Sequence, residues 1–320
     1  MKLGVFAVLF GDRPFEETLD YVKSLGLGAV EIGTGAYPGS AHCNPAALLA
    51  APKALKAFGR AVKRRGLVIS ALSCHGNPLH PDAKIAAAHH QTFVDTVALA
   101  RSLEVSTVIT FSGCPPGDAK ATQPSWVVAP WPPEFAAMLA WQWRERVTPY
   151  WTGTAKLCRK AGVRVAVEMH PNFVVYNPET MNRLREIAPK VIGCNFDPSH
   201  MFWQGIDPVV AIRALGGAIY HVHAKDCRID ERNTKLNGVL DAKKYTDEIN
   251  RSWIFRTVGY GHDALVWKDI VSALRTVGYD HVISIEHEDS VMSGDEGLKK
   301  AIAFLSGVVI QQPTGRAYWA

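Results

Sequence analysis

Four short apolar runs in the second half of the chain each stop at residues that can carry a proton or hold a cation. They read Val165-Ala166-Val167-Glu168-Met169-His170, Cys194-Asn195-Phe196-Asp197-Pro198-Ser199-His200, His221-Val222-His223-Ala224-Lys225-Asp226 and Ser284-Ile285-Glu286-His287-Glu288-Asp289. A single acid at such a place is usually a helix cap or a solvated loop charge. Four converging on one point make a cluster whose like charges need a counter-ion. Glu168, Asp197, His223 and Glu286 offer three carboxylates and one imidazole, a donor set suited to Mn²⁺, Mg²⁺ or Co²⁺ and, less neatly, Zn²⁺. An ion held there polarises a carbonyl and stabilises the charge left when a neighbouring C–H proton departs. These residues are far apart in sequence, so the pattern lies in repeated placement at strand ends and not in a local motif.

The elements that must position them alternate along the whole chain. Apolar runs at 3–10, 29–32, 68–73, 107–111, 163–167, 191–196, 219–222 and 282–285 are continuous in polarity, as strands buried on both faces are. Between them lie segments of helical period. Asn44-Pro45, Asn177-Pro178-Glu179 and Asp207-Pro208 open three of these, and Ser293-Gly294-Asp295-Glu296 caps the last. Predicted helices also cover 84–103, 133–162 and 267–278. Eight strand–helix repeats predict a single (β/α)8 barrel spanning 1–320, not an open sheet with a second domain. An open doubly wound sheet needs a glycine-rich phosphate loop after its first strand, and Phe10-Gly11-Asp12-Arg13-Pro14 is not one. Insertions at 113–133 and 227–263 follow strands four and seven. In a barrel they extend the C-terminal face as a lid or as an oligomer contact.

Composition narrows the classes of function. The chain has 320 residues, 48% of them hydrophobic, enough for a large core and too many for intrinsic disorder. The net charge of +5 comes from 35 basic and 30 acidic residues mixed along the sequence, so no cationic stripe for nucleic acid or membrane is expected. Cys43, Cys74, Cys114, Cys158, Cys194 and Cys227 form no CxxC pair, which argues against a zinc knuckle or a disulfide framework. Buried free thiols and a cytoplasmic location are expected. The opening residues read as a first strand and not as a signal peptide, and no apolar run approaches the roughly 20 residues of a membrane span.

Ala166-Val167-Glu168, Asp197-Pro198-Ser199-His200, His221-Val222-His223-Ala224-Lys225-Asp226 and Ser284-Ile285-Glu286 together resemble the xylose-isomerase-like barrels of the sugar phosphate isomerase/epimerase family. That family includes ketose 3-epimerases, inosose and dehydroshikimate dehydratases and the family-two apurinic endonucleases. The resemblance covers nearly the whole chain in fold order and is most specific from residue 163 onward. It implies one divalent ion per chain, Mn²⁺ first, with Mg²⁺, Co²⁺ or Zn²⁺ as alternatives, held by Glu168, Asp197, His223 and Glu286. It also implies that Glu168 and Glu286 act as an acid/base pair, and that His200 supports the metal site or touches substrate. The endonuclease branch carries additional histidines, one on strand four. Here that strand ends Ile109-Thr110-Phe111-Ser112-Gly113, so phosphodiester cleavage is not expected. The insertion after His223 exceeds that of the compact ketose epimerases, so their substrates do not carry over.

Further residues near the predicted mouth have two readings each. His75 either donates to a substrate hydroxyl or caps a loop. Lys225, Asp226 and Arg228 contact substrate oxygens or form a salt-bridged loop. His262, in Gly259-Tyr260-Gly261-His262, closes over the site, where glycines permit close approach. Glu31 is a weaker substrate-site candidate, and His42, His80, His89, His90 and His281 read as surface or structural. Trp126, Trp131, Trp141, Trp143 and Trp151 suit either a sugar face or ordinary packing. The sequence supports a carbohydrate isomerase or epimerase, with a lyase (a dehydratase or a keto-glycoside deglycosidase) as runner-up. A barrel that only binds sugar is the non-catalytic alternative. A homo-oligomer or a second subunit is compatible with all three.

Overall fold

The computed structural model describes residues 1–315, 317 and 319. Among these residues ten strands form: β1 Lys2–Phe6, β2 Ala29–Gly33, β3 Val68–Ser73, β4 Thr107–Phe111, β5 Arg164–Glu168, β6 Ile192–Phe196, β7 Ile219–Ala224, β8 Asp226–Ile229, β9 Trp253–Arg256 and β10 Val282–Ile285. Eight close into a parallel barrel in the order β1-β10-β7-β6-β5-β4-β3-β2. This is the predicted (β/α)8 barrel. Its strands are continuous apolar runs because helices cover the outside while the inside fills with side chains; every residue of β2, β6 and β7 is buried. Gly193 is required on β6, since a Cβ there would lie 2.3 Å from the Tyr220 ring and 2.4 Å from the Ala218 carbonyl oxygen.

Boundaries differ from expectation where proline or a missing partner intervenes. The first strand stops at Phe6 and residues Ala7–Phe10 form a 3₁₀ turn, because β10 ends at Ile285, opposite Val5. The helix predicted from Asn44 splits into Pro45–Ala50 and Pro52–Lys63, for Pro52 lacks an N–H and holds Ala51 out of the helical region. The long helix from Pro133 breaks into Pro133–Trp141, a wide turn over Gln142–Val147, and Thr148–Ala161. Pro149 cannot donate to its preceding turn, and the wider turn absorbs the mismatch.

The second insertion has more structure than a loop. β8 and β9 pair antiparallel, Asp226 opposite Arg256 and Ile229 opposite Trp253, with a helix at Glu231–Asn237 between them. In the first insertion, the Gln142 amide donates to the carbonyls of Pro115, Pro116 and Ser125, fastening the proline-rich segment to the wide turn. All six cysteines are buried and free, and burial pushes the Cys74 thiol up to about 12, so these are packing residues. No helix of the described residues is long and apolar enough to cross a membrane.

Candidate active site at the barrel mouth

Side chains two apart on a strand face the same way, and in a closed barrel one set faces the axis. On β7 that set includes His221, His223 and then Lys225; on β6 it is Asn195, followed by Asp197. β5 ends in Glu168, and β10 is followed by Glu286. Register places His223 opposite Ser284, and Glu168 opposite Asn195. The predicted residues thus meet at the C-terminal end of the barrel. Glu168, Asp197 and His223 each offer a donor atom within 4.8 Å of one another. His223 Nδ1 lies 3.3 Å from Glu168 Oε2 and 3.1 Å from Glu286 Oε2.

Local chemistry explains each orientation. Asp197 is the N-cap of the short helix Pro198–Trp203; its Oδ1 accepts from the Ser199 N–H at 2.9 Å. Its other oxygen, Oδ2, is buried and accepts no hydrogen bond, although Lys225 Nζ lies 3.1 Å away. An anionic oxygen left in that condition fits a cation ligand. So does the donor set of three carboxylates and one imidazole.

Below the mouth lies a polar layer that sequence reasoning largely missed. Glu31, at the end of β2, is fully buried and accepts from Ser73 Oγ at 2.6 Å and Ser284 Oγ at 2.7 Å. His223 Nε2 is 3.0 Å from both of its oxygens. A carboxylate can only accept, so Nε2 carries the proton, and in a neutral ring Nδ1 is left as a lone pair facing Glu168 and Glu286. Asn195 completes the layer. Its amide donates to Glu168 Oε2 at 2.7 Å, and its oxygen lies 2.9 Å from His221 Nδ1. Glu31 was a weak substrate-site candidate; it is enclosed instead, with the imidazole of His223 above it. The available signal was alternation, which puts Asn195 with Asp197 and His221 with His223 on one face.

The electrostatics follow from burial and pairing. Burial raises the Glu31 carboxyl, but His223 and His221 outweigh it and hold the group at about 2. Burial likewise opposes ionisation of Glu168, and His75, His200 and His223 bring it well below the ordinary range. Burial would strip the proton from His223, yet Glu31 and Glu286 raise its affinity well above normal, so a proton and a metal compete for Nδ1. Lys225 sits 2.8 Å from Glu286 Oε2 and 3.0 Å from Glu288 Oε2. Burial disfavours its charge, and Asp197, Glu286 and Glu288 keep it firmly protonated.

Of the expected substrate contacts, His75 and Lys225 reach the chamber. His75 Nε2 donates to Glu168 Oε2 at 3.0 Å. His200 is buried beside the cluster, its Nε2 3.6 Å from Glu168 and 3.4 Å from Asp197. Asp226 does not face the chamber. Its carboxylate accepts from the backbone N–H groups of Cys227, Gly259, Gly261 and His262 and lies 2.7 Å from His262 Nδ1. A buried carboxylate so surrounded staples the glycine turn to β8. Arg228 is exposed, and with His262 it lines a separate cleft of about 700 Å³ on the outer side of the two-stranded sheet. The His262 ring stacks on Phe202 at 3.6 Å. The chamber, about 270 Å³, is walled by Phe6, Tyr37, Phe111 and His170 besides His75, Glu168, Lys225, Glu286 and Glu288.

Residues 19–307 match the profile of the xylose isomerase-like TIM barrel family. The uncharacterized protein YfiH of Bacillus subtilis (strain 168) is 37% identical over 314 residues, covering 97% of this chain and all of that one. Among solved structures, the probable 3-DHS dehydratase AsbF of Bacillus anthracis superposes with a TM-score of 0.68 at 16% identity, over 96% of this chain and 99% of its own. A D-psicose 3-epimerase crystallised with D-fructose gives 0.64 at 17% identity, over 97% and 99%. At those identities the structural likeness speaks for the fold, while the profile match over most of the chain establishes descent. The chain belongs to the xylose isomerase-like TIM barrel family.

Proposed function

We propose that the protein is a divalent-metal-dependent isomerase or epimerase of a keto-sugar or sugar phosphate, working by proton transfer next to a carbonyl. The observation that carries this reading is the meeting of donor atoms of Glu168, Asp197 and His223 within 4.8 Å of one another, with Glu286 Oε2 3.1 Å from His223, beside a chamber that Glu168 and Glu286 line. The fold is shared with an epimerase and a dehydratase, and both names fit chemistry that begins beside a carbonyl.

The four residues would hold the ion; once bound, it supplies Lewis acidity to the substrate carbonyl. The remaining work falls to side chains. Glu168 on β5 and Glu286 beyond β10 are separated by β6 and β7, so they approach a bound sugar from different sides. His75 and Asn195 donate to Glu168, which keeps it anionic and aimed as the base. Lys225 holds Glu286 and places a proton-bearing neighbour 2.8 Å from it, on the side where the proton is returned. Phe6, Phe111 and Tyr37 narrow the chamber beside the two carboxylates. Proton return to the opposite face epimerises, return to the adjacent carbon isomerises, and loss of a substituent makes a lyase; the first step is common to all three.

Incubation of the metal-loaded protein with keto-sugars in D₂O, followed by NMR, tests the common step. Exchange of one α-proton is expected, with loss of at least about a hundredfold in Glu168→Gln and Glu286→Gln, the scale of a general acid or base. Wild-type exchange in either variant overturns the assignment. Metal analysis showing no divalent ion bound at any concentration tested overturns the dependence.

A further inference from the structure

The cleft outside β8 and β9, about 700 Å³ against about 270 Å³ for the chamber, has no part in the chemistry proposed above. Three arginines line it: Arg228 on β8, Arg232 in the helix Glu231–Asn237, and Arg251 just before β9. Arg228 and Arg232 are exposed, whereas Arg251 is only 2% exposed. Among the described residues, no carboxylate lies within ion-pairing distance of any of the three. A buried charge is ordinarily paired, because attraction to a counter-ion is what offsets its removal from water.

The partners that Arg251 does have are neutral. Its Nε donates to the Trp253 carbonyl at 3.1 Å and its Nη1 to the Lys243 carbonyl. The guanidinium carbon lies 4.4 Å from the Tyr245 ring centre and 4.6 Å from that of Trp253. Its Nη2 donates to no protein group, yet it is not one of the enclosed polar atoms, so it opens on the cleft that Arg251 lines. An accessible N–H group on a buried, unpaired guanidinium, with two more guanidinium groups around the same cavity, suits an oxyanion.

Acids share the wall and narrow the choice. Asp230 Oδ1 accepts from the Asn233 N–H, Glu231 is 2.9 Å from Lys235 Nζ, and Glu248 has no cation beside it. His262 is committed to Asp226 through Nδ1 and to Phe202 through its ring face. Carboxylates so placed repel a bare anion, but they accept from hydroxyls carried at a distance from the charge. A cavity of this volume takes a molecule and not an ion, with Ile229 and Ile254 as apolar wall. Three guanidinium groups match the three terminal oxygens and double charge of a phosphate monoester better than the two oxygens of a carboxylate.

The structure assigns this cleft to a polyhydroxylated organic phosphate, its phosphate held by Arg251 with Arg228 and Arg232, its hydroxyls by Glu248 and Asp230. The site is separate from the chamber, so its occupant is not the molecule that reacts over Glu168 and Glu286.

Calorimetric titration of the metal-free full-length protein with glucose 6-phosphate, glucose, glucuronate and inorganic phosphate tests the assignment. Glucose 6-phosphate binds about tenfold or more tighter than each of the other three, the scale of a hydrogen bond to a charged group. Arg228→Ala and Arg232→Ala each weaken it about 2- to 5-fold, as exposed charges do. Arg251→Lys, which keeps the charge and loses the planar fork, weakens it about tenfold or more. Circular dichroism checks the fold of that buried variant, and if it unfolds, the Arg228→Ala/Arg232→Ala double variant decides. Glu168→Gln, in the chamber, leaves the affinity within about twofold. Glucose 6-phosphate binding no tighter than glucose, or not at all, overturns the site. Equal affinity for glucuronate overturns the phosphate, and equal affinity for inorganic phosphate overturns the hydroxylated body. An affinity within about twofold of wild type in the double arginine variant, or an equal loss in Glu168→Gln, moves the ligand out of this cleft and overturns the assignment.

Discussion

Replacing Glu31 by glutamine probes how the site orients His223, the imidazole proposed to hold the metal. The wild-type carboxylate is fully buried, accepts from Ser73 and Ser284, and takes the His223 Nε2 proton at 3.0 Å. Glutamine keeps the shape and removes the charge. One of its two positions at the rim becomes an NH₂ donor facing groups that already donate. The ionic hydrogen bond to His223 is lost, at about 1.5–3 kcal/mol for a bond to a charged group. With tenfold per 1.4 kcal/mol, that is about 10- to 100-fold in whatever depends on the imidazole's orientation and basicity, the range typical of a carboxylate behind a metal-binding histidine. The Kd for Mn²⁺, from calorimetric titration at pH 7.5, is therefore expected to rise about 10- to 100-fold in Glu31→Gln. With Mg²⁺ bound, proton–nitrogen NMR of the histidine side chains should show that His223 no longer carries its proton solely on Nε2. An affinity within about twofold of wild type, with the Nε2–H signal unchanged, refutes the claim that Glu31 sets this imidazole.

Three other outcomes follow from the geometry. Lys225→Met leaves Asp197, Glu286 and Glu288 facing one another without their shared ammonium. Metal-free protein should lose about 3–5 kcal/mol, the cost of breaking a buried pair, and Mn²⁺ should raise its Tm by more than it raises wild type's; an equal rise denies that the ammonium and the ion neutralise the same charges. Asp226→Asn should lower stability by at least about 2 kcal/mol while leaving kcat near wild type, because its partners are the turn at 259–262 and not the chamber; a hundredfold loss of kcat with unchanged stability restores it to the chemistry. Asp289 is paired with Arg256 and the Thr257 backbone, and although burial opposes its charge, these hold its carboxyl below the usual aspartate range. A depressed carboxyl contributes stability above its unfolded value near pH 3.9 and loses it as the pH falls further. The advantage of wild type over Asp289→Asn in urea midpoints should thus be full at pH 6 and shrink below pH 4; an advantage constant down to pH 2.5 contradicts the pairing.

The eightfold alternation of continuous apolar runs with capped helical segments was enough to determine a closed barrel. Strands buried on both faces are apolar at every position, and that pattern survives in one dimension. Because a barrel brings all its C-terminal strand ends to one face, the positions of Glu168, Asp197, His223 and Glu286 at that face were legible as well. What lies outside that logic was not. The pairing of β8 with β9 joins four-residue segments 23 residues apart across a charged insertion, and neither segment is long enough to show a period. Glu31 and Asn195 look like isolated polar residues in apolar strands, and only barrel closure turns them inward beneath His223. Asp226 and Lys225 are adjacent in sequence and similar in polarity, yet they part company. Lys225, beyond the end of β7, reaches the mouth, whereas Asp226 opens β8 and is captured by the glycine turn. Composition and period settle which segments pair and which face they bury, because burial is a property of each residue. Which of two neighbouring polar groups faces the chamber is settled by closure, because it depends on groups tens of residues away along the chain.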